Sequence, residues 1–149
     1  MIGIRFELNV TWDNVLKDLL NNINYKEYNW YFKEQDIYFN IKDKSKFLKK
    51  TSGELLENII NSNEKYLILM ANILVFNKDD KIINIKNQYE LSKSNCNLVI
   101  LIEETTKFEI YFNNTELQDI IIKNLNKLNI KYDKITLYND LRKEFILGD

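Results

Sequence analysis

Histidine and proline are absent from this sequence, and its 149 residues include only three glycines and one cysteine. Without histidine, the usual general base, the most common metal ligand and every histidine-activated nucleophile are excluded. Gly3, Gly53 and Gly148 are too scattered to form a phosphate-binding loop. Cys96 alone can form neither an intramolecular disulfide nor a zinc site of known spacing. We therefore expect no metal and no cofactor, and an enzyme here would depend on carboxylates, lysine and tyrosine.

A strong net charge and a long apolar run are also missing. The formal charge is −1, and only Arg5 and Arg142 among the 21 basic residues are arginine, which argues against recognition of nucleic acid or anionic lipid. The longest apolar stretch, residues 66–76, is far shorter than the ~20 residues of a membrane span, and the first residues do not resemble a signal peptide. A lone cysteine fits a reducing compartment. We expect a cytoplasmic protein that binds neither nucleic acid nor membranes, and the near-zero charge favours a weak homodimer.

The composition predicts a packed core, because 45% of the residues are hydrophobic and 13% are aromatic. The length is that of one domain, residues 1–149. Hydrophobic periodicity and apolar runs predict strands at residues 2–10, 29–33, 37–41, 66–76, 82–85, 98–102, 108–112 and 135–138. Helices are predicted after Thr11, over 87–94, and after capping boxes at 51–54 and 115–118. The fold class is therefore α+β, with a mixed, largely antiparallel sheet and helices on one face.

This element order suggests two related halves, 1–77 and 78–149, each a ferredoxin-like βαββαβ unit. The pair 29–33 and 37–41 forms a hairpin in this interpretation. The quartet Ile-Tyr-Phe-Asn occurs in the second hairpin strand of both halves, at 37–40 and 110–113. Chance recurrence is the alternative, since the chain is rich in these four residue types. Residues 139–149 are predicted to be a charged tail.

One contiguous core is predicted from the phase of the apolar residues within these elements. It contains Ile4, Phe6, Leu8, Leu16, Leu20, Ile68, Val99, Leu101, Ile121 and Leu125. Cys96 is expected to be a buried, unreactive thiol, because nothing in its sequence neighbourhood would lower its pKa.

Four residues are candidates for binding a ligand or a partner. Trp12 and Trp30 are the largest apolar side chains and typical interface anchors, although both lie in phase with apolar patterns that favour core packing. Arg142 offers a planar fork that lysine cannot replace, and Asp140 could orient it if the segment is extended. The alternative for this pair is a weak, exposed ion pair.

Other polar clusters are expected to be solvated. The adjacent acidic pairs at 79–80 and 103–104 have the character of turns. The lysine-rich segment 42–50 could form a contact surface, because Phe47 and Leu48 interrupt it, but a solvated loop is the favoured interpretation. No catalytic residue is assigned.

Several short motifs also resemble those of a known family. They are Gly3-Ile4-x-Phe6-Glu7, Asn29-Trp30, Ser94-x-Cys96-x-Leu98-Val99-Ile100-Leu101 and Asp140-x-Arg142. With these, the chain resembles an uncharacterised bacterial family, a domain of unknown function from low-GC, spore-forming lineages. The resemblance spans nearly the whole chain. It implies a complete domain, but no activity, cofactor or partner.

Three hypotheses about function follow. The first is a non-catalytic binding module for a protein partner. The second is a small-ligand-binding domain with a cleft between two βαββαβ halves. The third is an enzyme that works without histidine, through carboxylates and lysine.

Overall fold

The computed structural model describes residues 1–40 and 44–148, in which seven strands form one antiparallel sheet. The strands are β1 (Gly3–Glu7), β2 (Tyr28–Phe39), β3 (Lys50–Ser52), β4 (Tyr66–Asn77), β5 (Leu98–Glu103), β6 (Lys107–Phe112) and β7 (Asp133–Ile135), in the spatial order β3-β2-β4-β5-β6-β1-β7. The helices are α1 (Val15–Leu19), α2 (Gly53–Asn61), α3 (Gln88–Ser92) and α4 (Thr115–Lys127), with a 3₁₀ turn at Tyr25–Glu27. The α+β fold class is confirmed.

One face of the sheet, which we call the helical face, is covered by α1, α2 and α4. These helices contribute apolar stripes such as Leu56, Ile59 and Ile60 of α2. Alternate residues of every long strand meet them, including Ile4 of β1 and Trp30 of β2. Such a closed, apolar layer is the expected result of amphipathic helices on a half-buried sheet.

The opposite face, which we call the strap face, is covered by α3 and by residues 136–148, the C-terminal strap. The strap is docked by Phe145 and Leu147, which are 2% and 8% exposed. Phe145 packs on Tyr111 of β6 with ring centroids 4.8 Å apart. Asn72, fully buried in β4, donates from Nδ2 to the Phe145 carbonyl at 3.1 Å. The prediction of a charged tail after residue 138 is therefore wrong.

The buried residues form two clusters, one on each face of the sheet, instead of one contiguous core. All ten predicted core residues are buried. Eight of them belong to the helical face, whereas Val99 and Leu101 lie under the strap. Strand β5 is buried on both faces, so consecutive residues point into different clusters.

The predicted duplication is also wrong. Residues 28–39 form one continuous strand instead of a hairpin, with irregularities near Phe32 and Asp36 that shift the register. Strand β1 pairs with β6 and β7, both from the second half, so the two halves share one sheet. The quartets at 37–40 and 110–113 end strands with unrelated neighbours. Ile41, which the hairpin included, lies outside the described residues, and 82–85 forms no strand.

The two helix starts predicted from capping boxes are correct to within one residue, but the capping residues differ. The start predicted at Thr11 is wrong, because α1 begins at Val15 after Asn14. Ser52 caps α2 by accepting from the amide of Leu55, and Asn114 caps α4 by accepting from the amide of Leu117. Thr51 instead lies in β3, buried, where its hydroxyl donates to Leu48. More than one short polar side chain near each helix start could serve as the N-cap. The end of the preceding strand determines which of them lies at the capping position.

Part of the lysine-rich segment lies within the described residues, while Lys42 lies outside them. Phe47 is 2% exposed and stacks on Phe32 with ring centroids 4.7 Å apart. Lys46 forms an ion pair with Glu64. Phe47 therefore anchors the second half of the segment to the helical-face core. The favoured prediction of a solvated loop is wrong at this residue.

Candidate functional site

The strap face of the sheet changes from apolar to charged between two neighbouring rows of side chains. The strand register aligns Leu74, Val99, Tyr111, Gly3 and Ile135 in one row. The next row, two residues along each strand, aligns Asn72, Leu101, Glu109, Arg5 and Asp133. Because side chains two residues apart in a strand share a face of the sheet, both rows lie on the strap face.

Arg142 of the strap lies over the row that contains Arg5 and Glu109, which we call the charged row. Every nitrogen of its guanidinium donates a hydrogen bond to a protein oxygen. It binds Glu109 with two parallel bonds of 3.1 Å, from Nε and from Nη2. Nη2 also donates to Glu103 at 3.1 Å, and Nη1 donates to the carbonyl of Ile146 at 2.7 Å. The Arg142 side chain is only 17% exposed. This fork ties the strap to strands β5 and β6 and back to itself.

Tyr111 and Asp140 lie beside this ion pair, on the side of the row that contains Leu74 and Val99, which we call the apolar row. The Tyr111 hydroxyl lies 2.9 Å from Asp140 Oδ1 and 3.0 Å from Glu109 Oε2. Its single proton can be donated to only one of these oxygens at a time. Asp140 also accepts from the amide of Arg142 at 3.1 Å. Asp140 therefore shapes the strap backbone, and Glu109, not Asp140, holds the arginine fork.

The electrostatics of the cluster favour the charged forms of its ion pair. Burial would raise the pKa of Glu109, but the hydrogen bonds and charge of Arg142 outweigh it and lower that pKa below the ordinary 4.5. For Arg142, partial burial is likewise outweighed by Glu109 and Glu103, which raise its pKa. Burial and the neighbouring carboxylates raise the pKa of Tyr111, so its phenol stays protonated. This cluster has the electrostatics of a structural ion pair.

Arg5 contacts the same glutamate but is not satisfied by it. Its Nε lies 3.7 Å from Glu109 Oε1, which is too long for a hydrogen bond, and its side chain is 38% exposed. Both Glu109 oxygens already accept from Arg142. Among the described residues, no other carboxylate lies within ion-pair distance of Arg5. The two arginines of the chain thus converge on one carboxylate, and only one of them is saturated.

An open cavity of about 870 Å³ lies between the strap and strands β1 and β6. Arg5, Glu109 and Arg142 contribute polar groups to its lining, and Leu141 and Ile146 contribute apolar ones. A smaller cavity of about 310 Å³ adjoins the same three charged residues and reaches Lys107 and Asp133. Arg5 lines both cavities.

The four predicted binding residues separate into two pairs on opposite faces. Asp140 and Arg142 lie together with Arg5, Glu103, Glu109 and Tyr111 in one group, which we call the arginine cluster. Trp30 is fully buried on the helical face, where its indole donates to the Tyr25 carbonyl at 3.3 Å, so it is a core residue without surface for a partner. Trp12 is half-buried on that face, and its indole donates to Asp18 at 2.9 Å. The sheet separates the tryptophans from the arginine cluster.

Arg5, Glu109 and Tyr111 were not among the residues predicted from the sequence, and Glu103 was expected in a solvated turn. A signal for three of them was present. Arg5 lies on the polar phase of the first strand, and Glu109 and Tyr111 alternate with the apolar Phe108, Ile110 and Phe112. Glu104 does lie in the turn, where it pairs with Lys107 at 2.9 Å. Glu103 is the last residue of β5 and binds Arg142 instead.

Comparisons with known proteins give a family but no activity. A family model described as "Protein of unknown function (DUF2691)" matches residues 1–146. The chain belongs to that family. No curated protein and no solved structure matches the chain. The resemblance seen in the sequence is thereby confirmed at the level of the family, and its bacterial lineage stays a prediction. The range matched by the DUF2691 model includes every residue of the arginine cluster.

Across residues 1–40 and 44–148, no three acidic or cysteine side chains come together as metal ligands. Nor does any helix in these ranges have both the length and the hydropathy to cross a bilayer.

Proposed function

We propose that this chain is a non-catalytic, cytoplasmic binding module that contacts a protein partner through the outer surface of its C-terminal strap. The observation that carries the proposal is the exposure of large apolar side chains on this segment. Leu137, Tyr138, Leu141 and Ile146 are 71%, 101%, 87% and 47% exposed. Four such residues within ten positions are characteristic of an interface.

The strap presents these side chains from a fixed backbone. Arg142 anchors it between Leu141 and Ile146, and the burial of Phe145 places that residue on the opposite side of the segment. Around residue 138, the Asn139 side chain accepts from the amide of Thr136 at 2.7 Å. A preorganised apolar surface loses little conformational entropy on binding, which favours association.

The other two hypotheses have less support. The cleft between two halves has no structural basis, because both halves build one sheet. Among the described residues, the lining of the cavity of about 870 Å³ contains no aromatic side chain that would stack on a small ligand. Catalysis by carboxylates would favour a raised pKa, whereas the pKa of Glu109 is lowered by its partner Arg142.

A photocrosslinking experiment tests the proposal with a matched control. Leu141 and Leu48 are both exposed leucines, at 87% and 58%, and Leu48 precedes β3 at the opposite edge of the sheet from β7. Each is replaced in turn by p-benzoylphenylalanine in cells that express the full chain. We expect a discrete crosslinked protein from position 141, none from position 48, and loss of the product on adding Tyr138→Ser.

Three results would contradict the proposal. They are equal crosslinking from both positions, no crosslink from position 141, and a product that survives Tyr138→Ser. A product containing two copies of this chain would replace the heterologous partner with the weak homodimer predicted from the near-zero charge.

A further inference from the structure

The guanidinium of Arg5, which has no protein acceptor among the described residues, lines the cavity next to the strap. Arg142, the other arginine, has all three nitrogens in protein hydrogen bonds. Arg5 has no hydrogen bond from its side chain within residues 1–40 and 44–148, and its closest carboxylate oxygen is 3.7 Å away. A guanidinium without a matching acceptor can receive a carboxylate through two parallel hydrogen bonds.

The charges around Arg5 disfavour a doubly charged ligand group. The lining of the larger cavity carries three positive side chains, Arg5, Arg142 and Lys143, and two negative ones, Glu109 and Glu144. Glu103, which binds Arg142 and lines the adjoining cavity, balances the third positive charge. A doubly charged phosphate would be less well matched, because Glu109 lies next to Arg5 and would repel the second charge.

The rim of the cavity adds an apolar requirement. Leu141 and Ile146 line the same cavity as Arg5, and both are exposed. The cavity of about 870 Å³ is also large and open compared with a small organic acid. A peptide segment with apolar side chains next to a carboxylate complements both these apolar side chains and Arg5.

We infer that Arg5 is an anion subsite of the strap surface, which receives the side-chain carboxylate of a partner segment whose neighbouring residues are apolar. The inference rests on the proposed function, since it names the chemistry of the partner that the strap binds. Arg142 is the anchor that positions the strap, and Arg5 is the residue that contacts the ligand. Lys143, at the same cavity, adds charge without a fork.

Short synthetic peptides test this assignment directly. The probe is an acetylated and amidated pentapeptide with glutamate at its centre and leucines on both sides. Its first comparison peptide has glutamine in place of glutamate, and its second is the glutamine peptide with a free carboxyl terminus. Titration into the ¹⁵N-labelled full chain is followed by NMR at the Arg5 Nε–H and at the amides of residues 141–146.

We expect the glutamate peptide to shift these signals and to bind at least about fivefold more tightly than the glutamine peptide, an advantage reduced by salt. Arg5→Gln removes this preference, and Arg5→Lys restores only part of it because the fork is lost. Lys134→Gln, an exposed charge change on β7, leaves it intact. Thermal unfolding of each variant separates loss of binding from loss of fold.

Three outcomes overturn the inference. If the glutamate and glutamine peptides bind alike, or if Arg5→Gln leaves the preference unchanged, Arg5 is not an anion subsite. If the glutamine peptide with a free terminus matches the glutamate peptide, the ligand is a terminal carboxylate instead of a side chain. Crosslinking from position 141 that persists in Arg5→Gln would retain the proposed function while removing this subsite, so the two failures are distinguishable.

Discussion

The two faces of the sheet are closed in different ways. On the helical face, three amphipathic helices cover a continuous apolar layer that contains the fully buried Trp30. On the strap face, a short helix and an irregular strap cover the apolar row of the sheet, whereas part of the charged row lies next to an open cavity. The helical face is built for stability, and the strap face combines stability with an accessible polar site. The proposed function therefore uses the face on which burial is incomplete.

The largest expected effect comes from the core of the helical face. Trp30→Ala removes a fully buried indole that packs edge-on against Tyr25 and Tyr28, and we expect it to lower the free energy of unfolding by about 3–5 kcal/mol. Urea denaturation measures this value. The matched change Trp12→Ala should cost less, since that indole is half-buried. Equal costs for the two, or a cost below about 1 kcal/mol for Trp30→Ala, would show that the helical-face core is not organised around Trp30.

A smaller effect is expected at the anchor of the strap. Arg142→Lys keeps the charge but loses the fork on Glu109, and should cost about 1–2 kcal/mol. The accessibility of Cys96 shows whether this loss of stability acts on the strap face, because Cys96 belongs to the same buried cluster as Phe145. Burial raises the pKa of its thiol to about 12, so labelling requires opening of the strap face.

We therefore expect Arg142→Lys to accelerate native-state labelling of Cys96 by roughly 5–30-fold, the factor that 1–2 kcal/mol represents. The exposed neighbour Lys143 provides the control, and Lys143→Ala should leave the labelling rate unchanged. If global unfolding measured in urea accounts for the whole acceleration, the strap is not a separately opening unit, and the contrast between the faces is weaker than we infer.

The smallest expected effect is the pH dependence of the ion pair. The folded-state pKa of Glu109 is lowered, so its contribution to stability is fully present above the unfolded value near 4.5 and is lost as the pH falls through the folded pKa. Glu109→Gln should be less stable than the wild type at pH 7, with a difference that shrinks in the acid range. Denaturation curves between pH 7 and pH 3 measure this, with Glu144→Gln as an exposed control. A difference that stays constant with pH would exclude the ion pair as its source.

Local patterns in the sequence were sufficient for much of the helical face. Period-two alternation located β1 and β6, and the apolar runs located β4 and β5, because burial of alternate or all side chains leaves a direct signature. Helices α2 and α4 were likewise evident from their stripes. The strand β2 was divided incorrectly, since Glu34, Gln35 and Asp36 have turn-like polarity, yet tertiary pairing with β4 carries the backbone through them.

The candidate site was predictable only in part. Arg142 drew attention because arginine is so rare in this chain, but its partner was assigned to Asp140, two residues away. The real partner, Glu109, is 33 residues away in sequence. Sequence spacing gives no information about such a contact, which depends on the path of the strap across the sheet.

The sequence by itself determined the fold class, the buried residues and the absence of histidine chemistry, because composition and short-range periodicity express these properties directly. Only the tertiary structure decided that the two halves share one sheet, that the supposed tail is a docked strap, and that both arginines meet at one glutamate. Asn72 shows the physical reason. In the sequence, a single amide in the middle of an apolar run is an interruption. The Phe145 carbonyl that accepts its hydrogen bond is 73 residues away, and only the tertiary fold brings the two groups together.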